Sequence, residues 1–183
     1  SEMISLIATA TNTQDKADQL LDFINQEKEM LTTSLATADD TPNIYLAGNS
    51  SLLSTAGPAM YQSGIIELAG GKNVASDISD TYWAEISYEQ LLSWDPDYII
   101  LASDAEYTVD DVLSDPNLKD CTAVKNNHVY AIPGDIEALD SPVPASILAS
   151  IWLAGILHPD QVSTDTYTKE MNSFYETFYG IKK

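Results

Sequence analysis

The chain has 183 residues, 44% hydrophobic and 20% charged, enough for one globular domain with a proper core and too apolar for disorder. Its 28 acidic residues stand against 8 basic ones, all lysines, for a net charge of −20. With no arginine and no basic patch to displace phosphate counterions, nucleic acid is excluded as a partner and an anionic membrane surface is disfavoured.

No run of 18 or more apolar residues is present, so no transmembrane segment is expected. The opening Ser1-Glu2-Met3 has no basic leader region, and a leader is expected to be missing from this sequence. Cys121 stands alone, so no intrachain disulfide and no CxxC metal site can form; it reads as a small, partly buried hydrophobe.

Residues 2–10 read as the end of a helix. Thr13 is a suitable N-cap for a long helix over 14–38, with Asp15 in its first turn and Ala17, Leu20, Leu21, Ile24 and Leu31 near the 3.6-residue period. A helix this long at the start of a small domain makes sense as a strut between two lobes. Asp39-Asp40-Thr41-Pro42 ends it, and Asn43-Ile44-Tyr45-Leu46-Ala47 reads as a strand. Gly48 to Ser51 is a loop, Pro58 suits a helical first turn, and Met60 to Ala69 continues that helix until Gly70-Gly71.

A short strand is expected around 73–75. Ser87 then caps a helix over 88–94, broken by Asp95-Pro96. Tyr98 to Ala102 is a continuous apolar run of the kind a buried parallel strand shows. A helix over 107–114, a strand over 129–132, an apolar helix over 143–157 and an amphipathic helix over 167–178 complete the chain. Strands alternating with helices predict an α/β, three-layer sandwich with a mainly parallel central sheet, preceded by the long interlobe helix.

In such sheets ligands bind beyond the carboxyl ends of the strands. Three segments are expected there: 48–61, 80–85 and 133–144. They contribute Thr55, Met60, Tyr61, Tyr82, Trp83 and Ser141 as candidate cleft-wall residues. Trp83 either forms a platform for a flat chelate with Tyr82 or plugs the edge of the core. Met60 and Tyr61 either line the same wall or pack the helix. No catalytic residue is expected: His128 and His158 have no nucleophile or HExxH partner, and no spacing calls for a metal or a cofactor. A flavodoxin-like enzyme domain is the rival reading, but the phosphate loop or nucleophile it needs is not found.

The order of Leu68-Ala69-Gly70-Gly71-Lys72-Asn73-Val74-Ala75, then Tyr82-Trp83-Ala84-Glu85-Ile86-Ser87-Tyr88-Glu89-Gln90-Leu91-Leu92, then Trp94-Asp95-Pro96-Asp97-Tyr98-Ile99-Ile100-Leu101 resembles the C-terminal lobe of the cluster of solute-binding proteins that feed ABC importers of iron-siderophore, haem and cobalamin type. The resemblance runs from about Gln14 to the C-terminus. It implies residues 1–13 as the end of an N-terminal lobe absent from this sequence, 14–39 as the interlobe helix and 40–183 as the C-terminal lobe. It further implies an extracytoplasmic, periplasmic or lipid-anchored monomer that binds a metal chelate. Trp83 matches a cleft tryptophan before the Ser-x-Glu-Gln helix. Glu89 matches an acid that docks onto the ABC permease, although a first-turn glutamate is also what capping alone selects. Asp135 to Pro142 matches a cleft segment ending in Ser-Pro. Val143 stands where an arginine often follows, which argues against an anionic-siderophore clamp in this lobe. Corrinoid and haem binding remain open on the same scaffold.

Overall fold

A computed structural model describes residues 2–78 and 82–182. Its six-stranded sheet is built from β1 (Asn43–Ala47), β2 (Ser54–Ala56), β3 (Lys72–Asn73), β4 (Trp83–Glu85), β5 (Tyr98–Leu101) and β6 (Val129–Ala131). The order is β4-β2-β1-β5-β6, with β3 pairing the lower part of β1. β1, β3, β5 and β6 are parallel; β2 runs antiparallel to β1 and to β4.

Strand alternation sorts the core into two layers. Ile44 and Leu46 of β1 and Ile100 of β5 face a core shared with α2 (Gln14–Leu35), α3 (Tyr61–Leu68), α7 (Ile147–Leu157) and α8 (Thr164–Tyr179). Tyr45, Ala47, Ile99 and Leu101 face the other way, onto α4 (Tyr88–Trp94), α5 (Val109–Leu113) and α6 (Thr122–Lys125), with Cys121 buried among them. The three-layer α/β sandwich expected from the sequence is the architecture observed. α7 is buried on nearly all sides, which is why its sequence is apolar all round. Phe23 of α2 meets Phe174 and Phe178 of α8 at ring-centroid distances of 5.4 and 5.9 Å.

α1 (Glu2–Thr11) buries only Ala8 and leaves Met3, Leu6 and Ile7 exposed. α2 is 22 residues long, a rod of about 33 Å. It stops at Leu35 rather than 38, where Thr32 Oγ1 bonds back to Lys28 O and the last turn tightens. α3 starts at Tyr61, because Gly57 to Met60 closes a turn of its own, Met60 N donating to Gly57 O at 3.0 Å. The strand expected at 73–75 is instead Lys72–Asn73, and Ser163 caps α8 three residues earlier than its apolar pattern suggested.

β2, β4 and α6 were not anticipated. Each is three or four residues long, too short to show a period. Asp95 closes α4 at φ 42°, a conformation glycine usually supplies; its carboxylate accepts from Thr122 N at 2.7 Å and Thr122 Oγ1 at 2.9 Å.

Candidate functional site

The carboxyl ends of β1, β5 and β6 lie side by side and deliver three turns to one edge of the sheet: Gly48-Asn49, Ser103-Asp104 and Pro133-Gly134. These turns are stitched laterally. Asn49 Nδ2 donates to Asp104 Oδ1, Glu106 N donates to Asn49 O at 2.8 Å, and Tyr107 Oη donates to Gly48 O at 2.6 Å. Gly134 packs so closely that a Cβ there would come within 2.9 Å of Ser103 Cβ.

β4 brings Trp83 to this edge. Its pairing with β2 sets Trp83 opposite Ala56, and the indole reaches up to Gly48, where a Cβ would stand 3.1 Å from Trp83 Cζ3 and 3.2 Å from Ser54 O. A side chain at 48 would force the ring or Ser54 to give by a few tenths of an ångström. Trp83 keeps 38% of its surface exposed and Tyr82 beside it 69%, so neither ring serves mainly as core. The Tyr82 carbonyl accepts from Gly57 N at 2.8 Å, which fastens the aromatic pair to the turn before α3.

The N-terminus of α3 forms the adjoining wall. Met60 and Tyr61 are partly buried, and Gln62 is buried with Nε2 donating to Asp140 O at 3.2 Å. Asp140 is itself 5% exposed; its carboxylate accepts from Ser103 Oγ at 2.5 Å. One buried residue therefore joins the end of β5, the start of α3 and the loop carrying Ser141. Burial, then the nearby Asp140 charge, pushes the Tyr61 phenol up and keeps it protonated. Tyr61 Oη and Gln62 Oε1 are buried and, among the described residues, have no hydrogen-bond partner.

Of the six expected wall residues, Tyr82 and Trp83 stand together, tied through the Tyr82 carbonyl to the turn that leads into Met60 and Tyr61, and Ser141 follows Asp140; Tyr61 lines a hollow with Ile24, Lys28, Pro142 and Val143 in which neither Tyr82 nor Trp83 takes part. Thr55 is different: it is fully buried and its hydroxyl donates to Leu46 O at 2.7 Å, so it braces β1 against β2 and presents nothing to a cleft. The segment reading missed this because it took 48–61 as one loop, while β2 runs inside it. Asp140, Ser103 and Gln62 were also not singled out. Their partners lie 37 and 78 residues apart in the chain, and no local pattern signals such contacts.

Glu89 sits in the first turn of α4, fully solvated. Its own amide N–H and the Ser87 hydroxyl hold its carboxyl below the usual carboxylate range. Among the described residues there is no group of three or more His, Cys, Asp or Glu side chains placed to hold a metal, and no helix long and apolar enough to cross a membrane.

Residues 1–136 match the family model described as "Periplasmic binding protein". Among curated proteins, the molybdate-binding protein MolA of Haemophilus influenzae is 27% identical over 179 residues, covering 96% of this chain and 50% of that protein. A cobalamin-binding protein of Halobacterium salinarum is 28% identical over 110 residues, covering 57% of this chain and 29% of its own length. Among solved structures, a periplasmic solute-binding protein from Veillonella parvula superposes with a TM-score of 0.86 at 25% identity, covering 98% of this chain and 56% of that one. MolA bound to molybdate superposes with a TM-score of 0.85 at 27% identity, covering 98% and 55%. The chain thus spans about half the length of the relatives it matches over nearly its whole extent.

Proposed function

The chain belongs to the periplasmic binding protein family, and on that premise we propose that it is the C-terminal lobe of the extracytoplasmic solute-binding component of an ABC importer for an iron-siderophore or related metal chelate. The observation that carries this reading is Trp83. A partly exposed indole lies over a glycine at the carboxyl edge of the sheet, where a flat or apolar chelate would stack. Tyr82, Met60, Tyr61 and Ser141 extend the wall, while α2 serves as the strut to a second lobe. Residues 1–13 form the end of that second lobe and 40–183 the lobe described here. Glu89, exposed and ionised at the start of α4, is the docking acid for the permease.

A cleft between two lobes takes about half its contacts from each, so this lobe alone binds weakly. Isothermal titration tests the reading: the full-length protein should bind a ferric trihydroxamate saturably, Trp83→Ala should weaken binding at least tenfold, and residues 1–183 alone should bind far more weakly. Equal affinity of the lobe and the full-length protein would contradict the half-site. Glu89→Lys should abolish uptake in cells while leaving the titration unchanged. A corrinoid is the second reading, supported by the likeness to a cobalamin-binding protein; cobinamide in the same titration distinguishes the two.

A further inference from the structure

Residues 132–143 run from the end of β6 to the 3₁₀ turn at Pro144–Ser146 with neither helix nor strand, and they carry Ser141 of the proposed wall. A stretch this long without regular structure is uncommon in a compact domain, and it keeps one shape only where its side chains are tied down. Near its start Gly134 packs against Ser103. Near its end the Asp140 carboxylate accepts from Ser103 Oγ and the Asp140 carbonyl accepts from Gln62 Nε2.

The middle of the loop is held from α8 instead. Tyr167, Met171 and Tyr175, at i, i+4 and i+8, form one stripe of that helix, and across a narrow hollow the stripe faces Ile136, Glu137 and Leu139. Leu139 is buried in the core that α8 shares, and Ile136 packs against it. At the end of the stripe Tyr175 Oη donates to Glu137 Oε1 at 3.0 Å, which turns the glutamate inward onto the helix. Tyr175 is 3% exposed, and its ring is clamped by Phe174 and Tyr179 at centroid distances of 5.3 and 5.4 Å. The donor is therefore a fixed point and the loop is the part that it fixes. α8 is anchored in turn on α2 through Phe23.

Building on the solute-binding reading, we propose that Tyr175 is a positioning residue for the ligand wall: its hydrogen bond to Glu137 mounts the loop on α8 and holds Ser141 where the wall presents it to a solute. Tyr175 acts through the loop, since its own ring is buried in the core.

Three variants of the full-length protein separate this role from that of a plain brace. Tyr175→Phe removes the hydroxyl and keeps the ring, Glu137→Ala removes the acceptor from the loop side, and Glu137→Gln keeps an acceptor oxygen. Hydrogen exchange without ligand reads the Ser141 and Val143 amides, which donate to Ala138 O and Ser141 O at 3.0 and 2.6 Å. Tyr175→Phe and Glu137→Ala should each speed exchange there about fivefold and leave β1 and β5 unchanged, while Glu137→Gln should stay within about twofold of wild type. The same proteins are titrated with a ferric trihydroxamate and with cobinamide. For whichever solute wild type binds, the first two variants should lose about fivefold in affinity and Glu137→Gln less than about twofold. A brace would lower the urea midpoint and leave exchange and affinity unmoved, which overturns the proposal. Faster exchange with unchanged affinity overturns it too, as does a loss in Glu137→Gln equal to that in Glu137→Ala, which would assign the effect to charge; in each case the solute-binding reading stands. If wild type binds neither solute, the metal-chelate and corrinoid readings fall and this inference falls with them.

Discussion

At the amino edge of the sheet the strand starts are tied off by the chain itself. Asp97 Oδ2 accepts from Asn43 N at 2.8 Å, Asp97 N donates to Asn43 O at 2.9 Å, and the His128 ring stacks on Tyr98 at 4.5 Å. Gly70 and Gly71 let α3 end against His158 and Ile44. At the carboxyl edge Tyr82 and Trp83 stand exposed, and among the described residues Tyr61 Oη and Gln62 Oε1, like Asn172 Oδ1 on α8, have no hydrogen-bond partner. The amino edge is closed by its own contacts, and the carboxyl edge leaves two aromatic rings exposed. The same backbone supports both because parallel strands deliver all their carboxyl-end loops to one side.

Substitutions should therefore separate stability from binding according to the edge they touch. The largest expected loss of stability is at Gly70→Ala on the amino edge, about 3 kcal/mol. The residue sits at φ 81°, and a Cβ would stand 2.6 Å from His158 Nε2. Urea unfolding measures it, and a loss under 1 kcal/mol would mean this edge yields more easily than its packing implies. Asp97→Ala, which strips the start of β1 of its acceptor, should follow at about 2 kcal/mol by the same assay.

Trp83→Ala at the carboxyl edge should cost only about 1 kcal/mol of stability while removing most ligand affinity; a stability loss equal to that at Gly70 would erase the contrast between the edges. The smallest effect is expected from Tyr61→Phe, which removes a buried hydroxyl with no partner and should leave the unfolding midpoint unchanged or slightly higher.

Glu27 provides a control that belongs to neither edge. Burial in α2, then the nearby charge of Glu170 on α8, raises its carboxyl from 4.5 to about 7, with Lys169 acting in the opposite direction. The folded state holds this proton more tightly than the unfolded one. Its stabilising contribution is therefore complete below pH 4.5 and is lost as pH rises through about 7. Glu27→Gln should flatten that decline, gaining about 1–2 kcal/mol at pH 8.5 relative to wild type in a melting series, with screening by solvent holding the gain to that size.

The long elements could be read directly from the sequence. Asn43 to Ala47, Tyr98 to Leu101 and Ile147 to Leu157 are apolar runs whose length and branching separate strand from helix, and the structure places all three in the core. Capping residues located α4, where Ser87 accepts from Gln90 N as expected. The short elements could not be read. β2 and β4 are polar or mixed, and they become strands only by pairing with β1 and with each other, a tertiary cause that a local window cannot contain. For the candidate site, a loop position pointed to Tyr82 and Trp83, both of which keep exposed rings, while the buried Asp140 makes its contacts across 37 and 78 residues, beyond any local pattern.

Hydrogen exchange on the full-length protein, with and without a saturating ferric trihydroxamate, tests the division between the edges most directly. Ligand should slow amide exchange in 48–61, 82–90, 102–107 and 133–143 and leave 40–43, 97–98 and 126–128 unchanged. Protection concentrated in the second group, at the amino edge, would contradict the account.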